Sequence, residues 1–258
     1  MTRWASGDLA GRAIEYFSDN NISHRVITMK AVCDDGNMLC DEILSRSSYD
    51  LKIKAMGADI ASANYQQEPI DLQGKLYTTL KTYDSLPPIT QIHAYCDTAD
   101  TGADYLCAIV YDETDVGNYI VDVLYTTRPV EYTEPALAKM LTKHDVAECM
   151  VEANNGGRLF KNNVEKQCRL LGNAKTKFSS FHQTENKETR IYQHSAMVQN
   201  LTFMPQGWKS LFPEFAKSIC GYLKAGKNEH DDAPDALTGT IEKRANRKKS
   251  DVASLFGF

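Results

Sequence analysis

The chain has 258 residues, a formal net charge of −5, 42% hydrophobic residues and 24% charged residues. That is the balance of a globular protein long enough for one large domain, or one domain plus a satellite. No apolar run approaches the ~20 residues of a helical membrane span, and the opening MTRWASGDLAGR has no apolar stretch of the kind a secretory signal needs. Seven scattered cysteines lack metal-knuckle spacing, so reduced thiols in a cytosolic setting are expected.

In chain order, SGDLAGRAIEYFSDN is expected to form an amphipathic helix capped by Ser6, with Leu9, Ile14 and Phe17 on its apolar face. SHRVITMKAVCDD has a strand pattern. SSYDLKIKAMGADIASANYQQEP has a helical one that stops at Pro69, and DLQGKLYTTLKTYDSLPPI is a connection. Beyond Pro88, ITQIHAYCD, DYLCAIVYD and NYIVDVLYTT predict three strands joined by short turns, hence an antiparallel meander. A helix follows in TEPALAKMLTKH, a buried strand in DVAECMVEAN, and a helix in GGRLFKNNVEKQCRLLG with Gly172 as its C-cap. TKFSSFH predicts a strand, KETRIYQHSAMVQN a helix, LTFMP a strand, and WKSLFPEFAKSICGYL a helix broken at Pro213. The last helix begins in HDDAPDAL. The order is β-β-β-α-β-α-β-α plus further helices. It predicts an α/β protein with a ribonuclease H-like mixed sheet, three antiparallel strands then parallel ones, flanked by helices.

Acidic residues fall at the ends of these elements. Asp97 closes the first strand of the meander and Glu152 closes the next strand after it. Asp231, Asp232 and Asp235 open the last helix. One Asp at a helix start needs no special reason, because it caps orphan N–H groups. Asp232 and Asp235 at i, i+3 share a face and repel. If the strands of Asp97 and Glu152 are neighbours, all four acids meet at the carboxyl edge of the sheet, where α/β folds gather ligands. Carboxylates so crowded cannot all stay ionised and unpaired. Two Mg²⁺ or Mn²⁺ ions, ~4 Å apart, would neutralise them and support phosphodiester hydrolysis. Asp104, at a strand start, is a further candidate outer ligand.

The segment from Arg158 to Arg190 carries eight basic and three acidic residues. An acidic protein with one basic face suits a nuclease, whose acids hold metal while a basic rim holds phosphate. No GxxxxGK[ST] phosphate loop occurs.

Several motifs together resemble the large subunit of tailed-phage DNA-packaging terminases, in its C-terminal nuclease half. YCDTADTGADY resembles that family's first acidic motif, VEANNGG its second and HDDAPDAL its third, while NKETRIYQHSAMVQNLTFMPQGW resembles the stretch between the last two. TRWASGDLAGRAIEYF and YQQEPIDLQGKLY resemble the end of the family's ATPase domain and the lead-in to its nuclease. In the first of these, Ala5 and Ser6 stand where family members often carry charged or His residues.

The resemblance implies a metal-dependent endonuclease that cuts double-stranded viral concatemers during packaging. Asp97 would bridge both ions, Glu152 would bind one, Asp232 and Asp235 would be ligands, and Asp231 a cap or outer group. It implies double-stranded DNA, a terminase small subunit and a portal protein as partners, no membrane, and the cytoplasm of an infected or lysogenic bacterium as location. The packaging ATPase is absent from this chain, so a C-terminal fragment is expected: residues 1–75 as the ATPase end and linker, 76–245 as the nuclease, 246–258 as a mobile basic and aromatic tail.

Lys187 and Arg190 are expected to contact phosphate, with Arg158 and Lys161 as outer contacts and Arg128 at a DNA-touching hairpin tip. His230 is assigned to capping or solvent, and Trp208 and Phe212 to the core. Two other readings stay open: another ribonuclease H-like nuclease, such as a Holliday-junction resolvase, and a non-catalytic module that docks on a portal.

Overall fold

The computed structural model describes residues 8–68, 74–77, 79–88, 91–98, 104–153, 157–224 and 228–256, without the side chains of 58–59 and 245–256. The chain divides into two compact units, 1–74 with 223–227, and 75–222 with 228–258.

The smaller unit is mainly helical. Helix α1 (Leu9–Asp19) starts on Asp8, whose carboxylate accepts from Gly11 N at 2.8 Å. The cap is therefore Asp8 rather than Ser6, which lies outside the described residues. The strand expected across 23–35 does not form. Its residues pair only as a single bridge, Val32 with Met38, and Val26 and Ile27 stay exposed, because no neighbouring strand offers a hydrogen-bonding edge among the described residues. The single helix expected after Ser47 is broken by Gly57 at φ +87°. This gives α2 (Arg46–Met56), the short α3 (Ala58–Ala61) and a π-turn (Ser62–Gln66).

The larger unit holds a seven-stranded mixed sheet with strand order β1-β7-β4-β3-β2-β5-β6. The strands are β1 (Lys81–Tyr83), β2 (Ile92–Asp97), β3 (Leu106–Glu113), β4 (Asn118–Thr126), β5 (Glu148–Glu152), β6 (Lys177–Phe181) and β7 (Thr202–Pro205). β2, β3 and β4 pair antiparallel, and β5 adds parallel to β2. This is the ribonuclease H-like arrangement expected from the element order. β1 was expected to be part of a connection. At three residues it is too short to show alternation, and it exists because β7 offers it a parallel edge. The helices are α4 (Val130–Lys143), α5 (Gly157–Leu170), α6 (Lys187–Leu201), α7 (Trp208–Leu211), α8 (Pro213–Gly221) and α9 (Asp232–Phe256). α4 begins earlier than expected, since Pro129 caps it and its carbonyl accepts from Tyr132 and Thr133. α9 runs on through 246–256, the stretch expected to be a mobile tail.

The pleat sorts the strand residues by face. Ile92, Ala94 and Cys96 of β2, and Cys149 and Val151 of β5, join Leu137 and Leu141 of α4 and Phe160, Val164 and Cys168 of α5 in one buried core. Each fully buried Leu there contributes about 1.5–3 kcal/mol. With a period of two, Tyr95 and Asp97 of β2, and Glu152 of β5, must then face the other side. That side is covered by α9, which packs on β2 and β3 and carries α6 beside it. Gly239 makes the close approach possible: a Cβ there would collide with the phenol end of the Tyr95 side chain. Gly239→Ala must therefore lift α9 from β2. A loss of about 1–3 kcal/mol is expected in denaturant titrations; an unchanged midpoint would show that α9 does not need this contact.

Candidate active site

Three elements deliver acids to one point. In the parallel register of β2 and β5, Cys96 lies opposite Val151, so Asp97 and Glu152 follow side by side at the carboxyl ends. α9 brings Asp232 and Asp235 in its first turn, where the helix dipole favours negative charge. Asp231 stands just before the helix, and its carbonyl accepts from Asp235 N at 2.9 Å. Asp97, Glu152 and Asp235 are almost fully buried, at 3%, 2% and 0% exposure. Each offers a carboxylate oxygen within 4.8 Å of the others. Asp232 approaches from the side, one oxygen accepting from Tyr105 N at 3.2 Å. Asp104 lies close enough to add its charge to that of Asp231 and Asp232.

The backbone behind the acids is packed tightly. Thr98 Oγ1 donates to the Glu152 carbonyl at 3.3 Å, and a Cβ on Gly157 would collide with that same carbonyl. Glycine is thus required for α5 to begin directly beside the strand end.

Burial raises the pKa of Asp97 well above the ordinary range, and the charges of Glu152 and Asp235 push the same way against the pull of Lys187. Burial likewise raises Glu152, Asp231, Asp232 and Asp235. Two cations offset part of this charge. Lys187 Nζ lies 3.1 Å from Asp97 Oδ2, 3.5 Å from Asp232 Oδ1, 3.8 Å from Asp235 Oδ2 and 3.9 Å from Asp231 Oδ1. Burial lowers the Lys187 pKa, but these carboxylates outweigh it and the net shift is upward. The ammonium thus sits among the acids rather than on an outer surface.

Arg190, expected to touch phosphate, is fully buried instead. Its Nε donates to Asp235 Oδ1 at 3.0 Å, its second terminal nitrogen pairs with the same oxygen, and its first pairs with Glu242 Oε2 at 3.3 Å. It is held inside because the fully buried Asp235 and the half-buried Glu242 need a charge partner. Sequence reasoning missed Glu242. Its place seven residues after Asp235 on one helix was the available signal, since i and i+7 share a face.

Of the remaining basic candidates, Arg158 is exposed in the first turn of α5, and Lys161 is half-buried one turn on. Arg128 is exposed after β4, its guanidinium 3.6 Å from the ring centroid of Tyr132. β4 runs alongside β2 in the same direction, two strands over, so Arg128 stands at the same edge as Asp97. Trp208 is buried against Phe215, as a core residue should be, while His230 is half-exposed beside Tyr105.

Residues 96–200 match the family model described as Terminase Bacteriophage T7, Ribonuclease H-like domain. Over those residues the chain is similar to the ribonuclease H-like domain of terminases. The large terminase of a thermophilic bacteriophage, in its ADP complex, has a similar structure at TM-score 0.57 and 12% identity, over 93% of this chain and 61% of that one. A second crystal form of the same phage protein gives 0.56 and 14%, over 93% and 60%. The human cytomegalovirus terminase nuclease domain, Mn-soaked and inhibitor-bound, aligns at 0.44 and 14% over 59% of this chain and 82% of that domain. No curated protein matches in sequence. The chain spans about three fifths of the length of the thermophilic phage terminase. No described helix is long and apolar enough to cross a membrane.

The residues of this terminase-type site fit a divalent ion. Asp235 Oδ2 is buried and accepts no hydrogen bond, which is costly unless a cation serves it. The converging donors are hard carboxylate oxygens, the preference of Mg²⁺ and Mn²⁺.

The raised carboxylate pKa values have a definite sign. The native state holds these protons more tightly than the unfolded chain, so metal-free stability falls as pH rises from the ordinary carboxylate range through the raised values. The raised Lys187 contributes stability that is lost only far above neutrality, so it does not change this window. In EDTA, Tm is expected to fall as pH rises above the ordinary carboxylate range. Mg²⁺ or Mn²⁺ should raise it most at the upper end, and Asp97→Asn should blunt both trends; a Tm indifferent to pH and metal would refute the coupling. Arg190→Met leaves Asp235 and Glu242 without their cation and is expected to cost about 3–5 kcal/mol. A loss of DNA affinity with stability intact would instead restore Arg190 as a phosphate contact.

Proposed function

We propose that this chain is the DNA-cutting part of a genome-packaging terminase: an endonuclease that hydrolyses phosphodiester bonds of double-stranded DNA with two Mg²⁺ or Mn²⁺ ions. The observation that carries the reading is the convergence of Asp97, Glu152 and Asp235 within 4.8 Å at the carboxyl edge of a terminase-type ribonuclease H-like sheet. Asp97, at the end of β2, would serve both ions. Glu152 and Asp235 would each hold one, and Asp232 would complete the set with Asp231 and Asp104 outside it. Ions bound there supply an acidified water and charge stabilisation for the leaving oxygen.

The chain's own residues do the rest. Burial keeps bulk water from the carboxylates. Arg190 fixes the orientation of Asp235, and Lys187 partly neutralises the acids until a divalent ion takes its place. Arg158, Lys161 and Arg128 lie along the same edge and serve as phosphate contacts. Packaging partners, a small subunit and a portal, belong to the same proposal, as does a host-cell cytoplasmic location. Preference for four-way junctions over linear duplex would move the chain to the resolvase reading. Absence of divalent-ion binding in calorimetry would move it to the portal-docking reading.

The test is plasmid nicking with Mn²⁺, with EDTA, and with the variants Asp97→Asn and Glu152→Gln. Metal-dependent cutting is expected, with a loss of about a hundredfold or more in either variant, equivalent to roughly 3 kcal/mol of lost transition-state stabilisation. Wild-type rates in both variants would defeat the assignment.

A further inference from the structure

Beside the acid cluster lies a second concavity that the hydrolytic chemistry does not use. It is a cavity of about 360 Å³ lined in part by Tyr105, Tyr125, Tyr222 and His230. Tyr105 and Tyr125 stack with centroids 4.2 Å apart and planes 11° from parallel, and His230 meets Tyr105 edge-on at 5.0 Å. This aromatic wall is joined to the metal ligands directly: Tyr105 N donates to Asp232 Oδ2 at 3.2 Å, and His230 immediately precedes Asp231.

We infer that this cavity is a nucleobase subsite, receiving one unpaired base of the strand whose phosphate lies at the acid cluster. The inference rests on the nuclease reading above. Three observations select a base. The volume lies in the range of small-molecule sites and the wall is aromatic, which suits a planar π-system of any sequence. The lining also contains Glu214 and Glu229 against Lys217, next to Asp231 and Asp232, so phosphate or any other anion is repelled while a neutral heterocycle is not. A strand already held at the acid cluster delivers its neighbouring base at high effective concentration, an advantage that a free aromatic side chain of a protein partner lacks.

Extruding a base from an intact duplex has an unstacking and unpairing cost, which is least where the base is already unpaired. The site therefore favours cutting beside mismatched, bulged or frayed nucleotides.

The experiment compares two duplexes that differ at one position, an unpaired base or an abasic residue, each cut with Mn²⁺ by the wild type and by Tyr125→Leu. In parallel, 5-iodouracil at the unpaired position is photo-crosslinked to the wild type with Ca²⁺ replacing Mn²⁺, and the attached peptide is mapped. The wild type is expected to cut beside the base about tenfold faster than beside the abasic residue. Tyr125→Leu should remove the difference while Mn²⁺ binding stays unchanged, and the crosslink should map to Tyr105, Tyr125 or His230. Equal cutting of both duplexes by the wild type, or crosslinks confined to other surfaces, would overturn the subsite and leave the cavity to a protein partner. A crosslink at the tyrosines without any Mn²⁺-dependent cutting would support the subsite while defeating the nuclease reading, so the two failures are distinct.

Discussion

The larger unit is organised around one electrostatic constraint: several carboxylates are buried together at a sheet edge and must be given positive charge. Removing an ionised group from water is unfavourable unless it is paired, and here the pairing is only partial. Arg190 serves Asp235 and Glu242 from within, while Lys187 reaches four acids at 3.1–3.9 Å without closing on all of them. The outcome is a site that a divalent cation relieves, because such an ion carries twice the charge of the ammonium and accepts several oxygens at once.

Much of the surrounding architecture follows from the need to bring these groups together. The pleat sends Asp97 and Glu152 to the face opposite the α4–α5 core. Gly239 lets α9 approach Tyr95 closely enough for Asp235 to meet them, and Gly157 lets α5 start against the Glu152 carbonyl. None of these glycines or tyrosines touches a reacting atom. Their role is to hold acid positions that carboxylates left to themselves would not adopt, since like charges repel.

The sequence made the sheet and its acids legible where the physics is local. β2 to β5 announced themselves by apolar runs bounded by turns, α5 by its C-cap glycine and α9 by the acids that open it. Asp97, Glu152 and Asp235 were visible because each sits at the end of such an element. What was hidden depended on partners distant in the chain. The 23–35 segment has strand-forming residues but, among the described residues, no strand edge to pair with, whereas Lys81–Tyr83 has little pattern but finds β7. Arg190 looked like a surface cation because its neighbours Lys187 and Glu188 are polar. Only the meeting of α6 with α9 shows that it is a buried counter-charge.

Under the proposed function, with Arg190 spent internally and Lys187 engaged with the acids, phosphate contact would fall to Arg158, Lys161 and Arg128 around a strongly acidic centre. An acidic centre repels phosphate, so metal and DNA binding are thermodynamically linked: whatever the ion adds to phosphate affinity, phosphate returns to ion affinity. Lys187 stands at the hinge of that linkage. Before a metal arrives its ammonium tempers the repulsion between carboxylates. Were a divalent ion to take over those oxygens, the same side chain, tethered at the first residue of α6 and partly open to solvent, would be free to turn toward a phosphate. One lysine would then stabilise the acid cluster in one state and the substrate in the next.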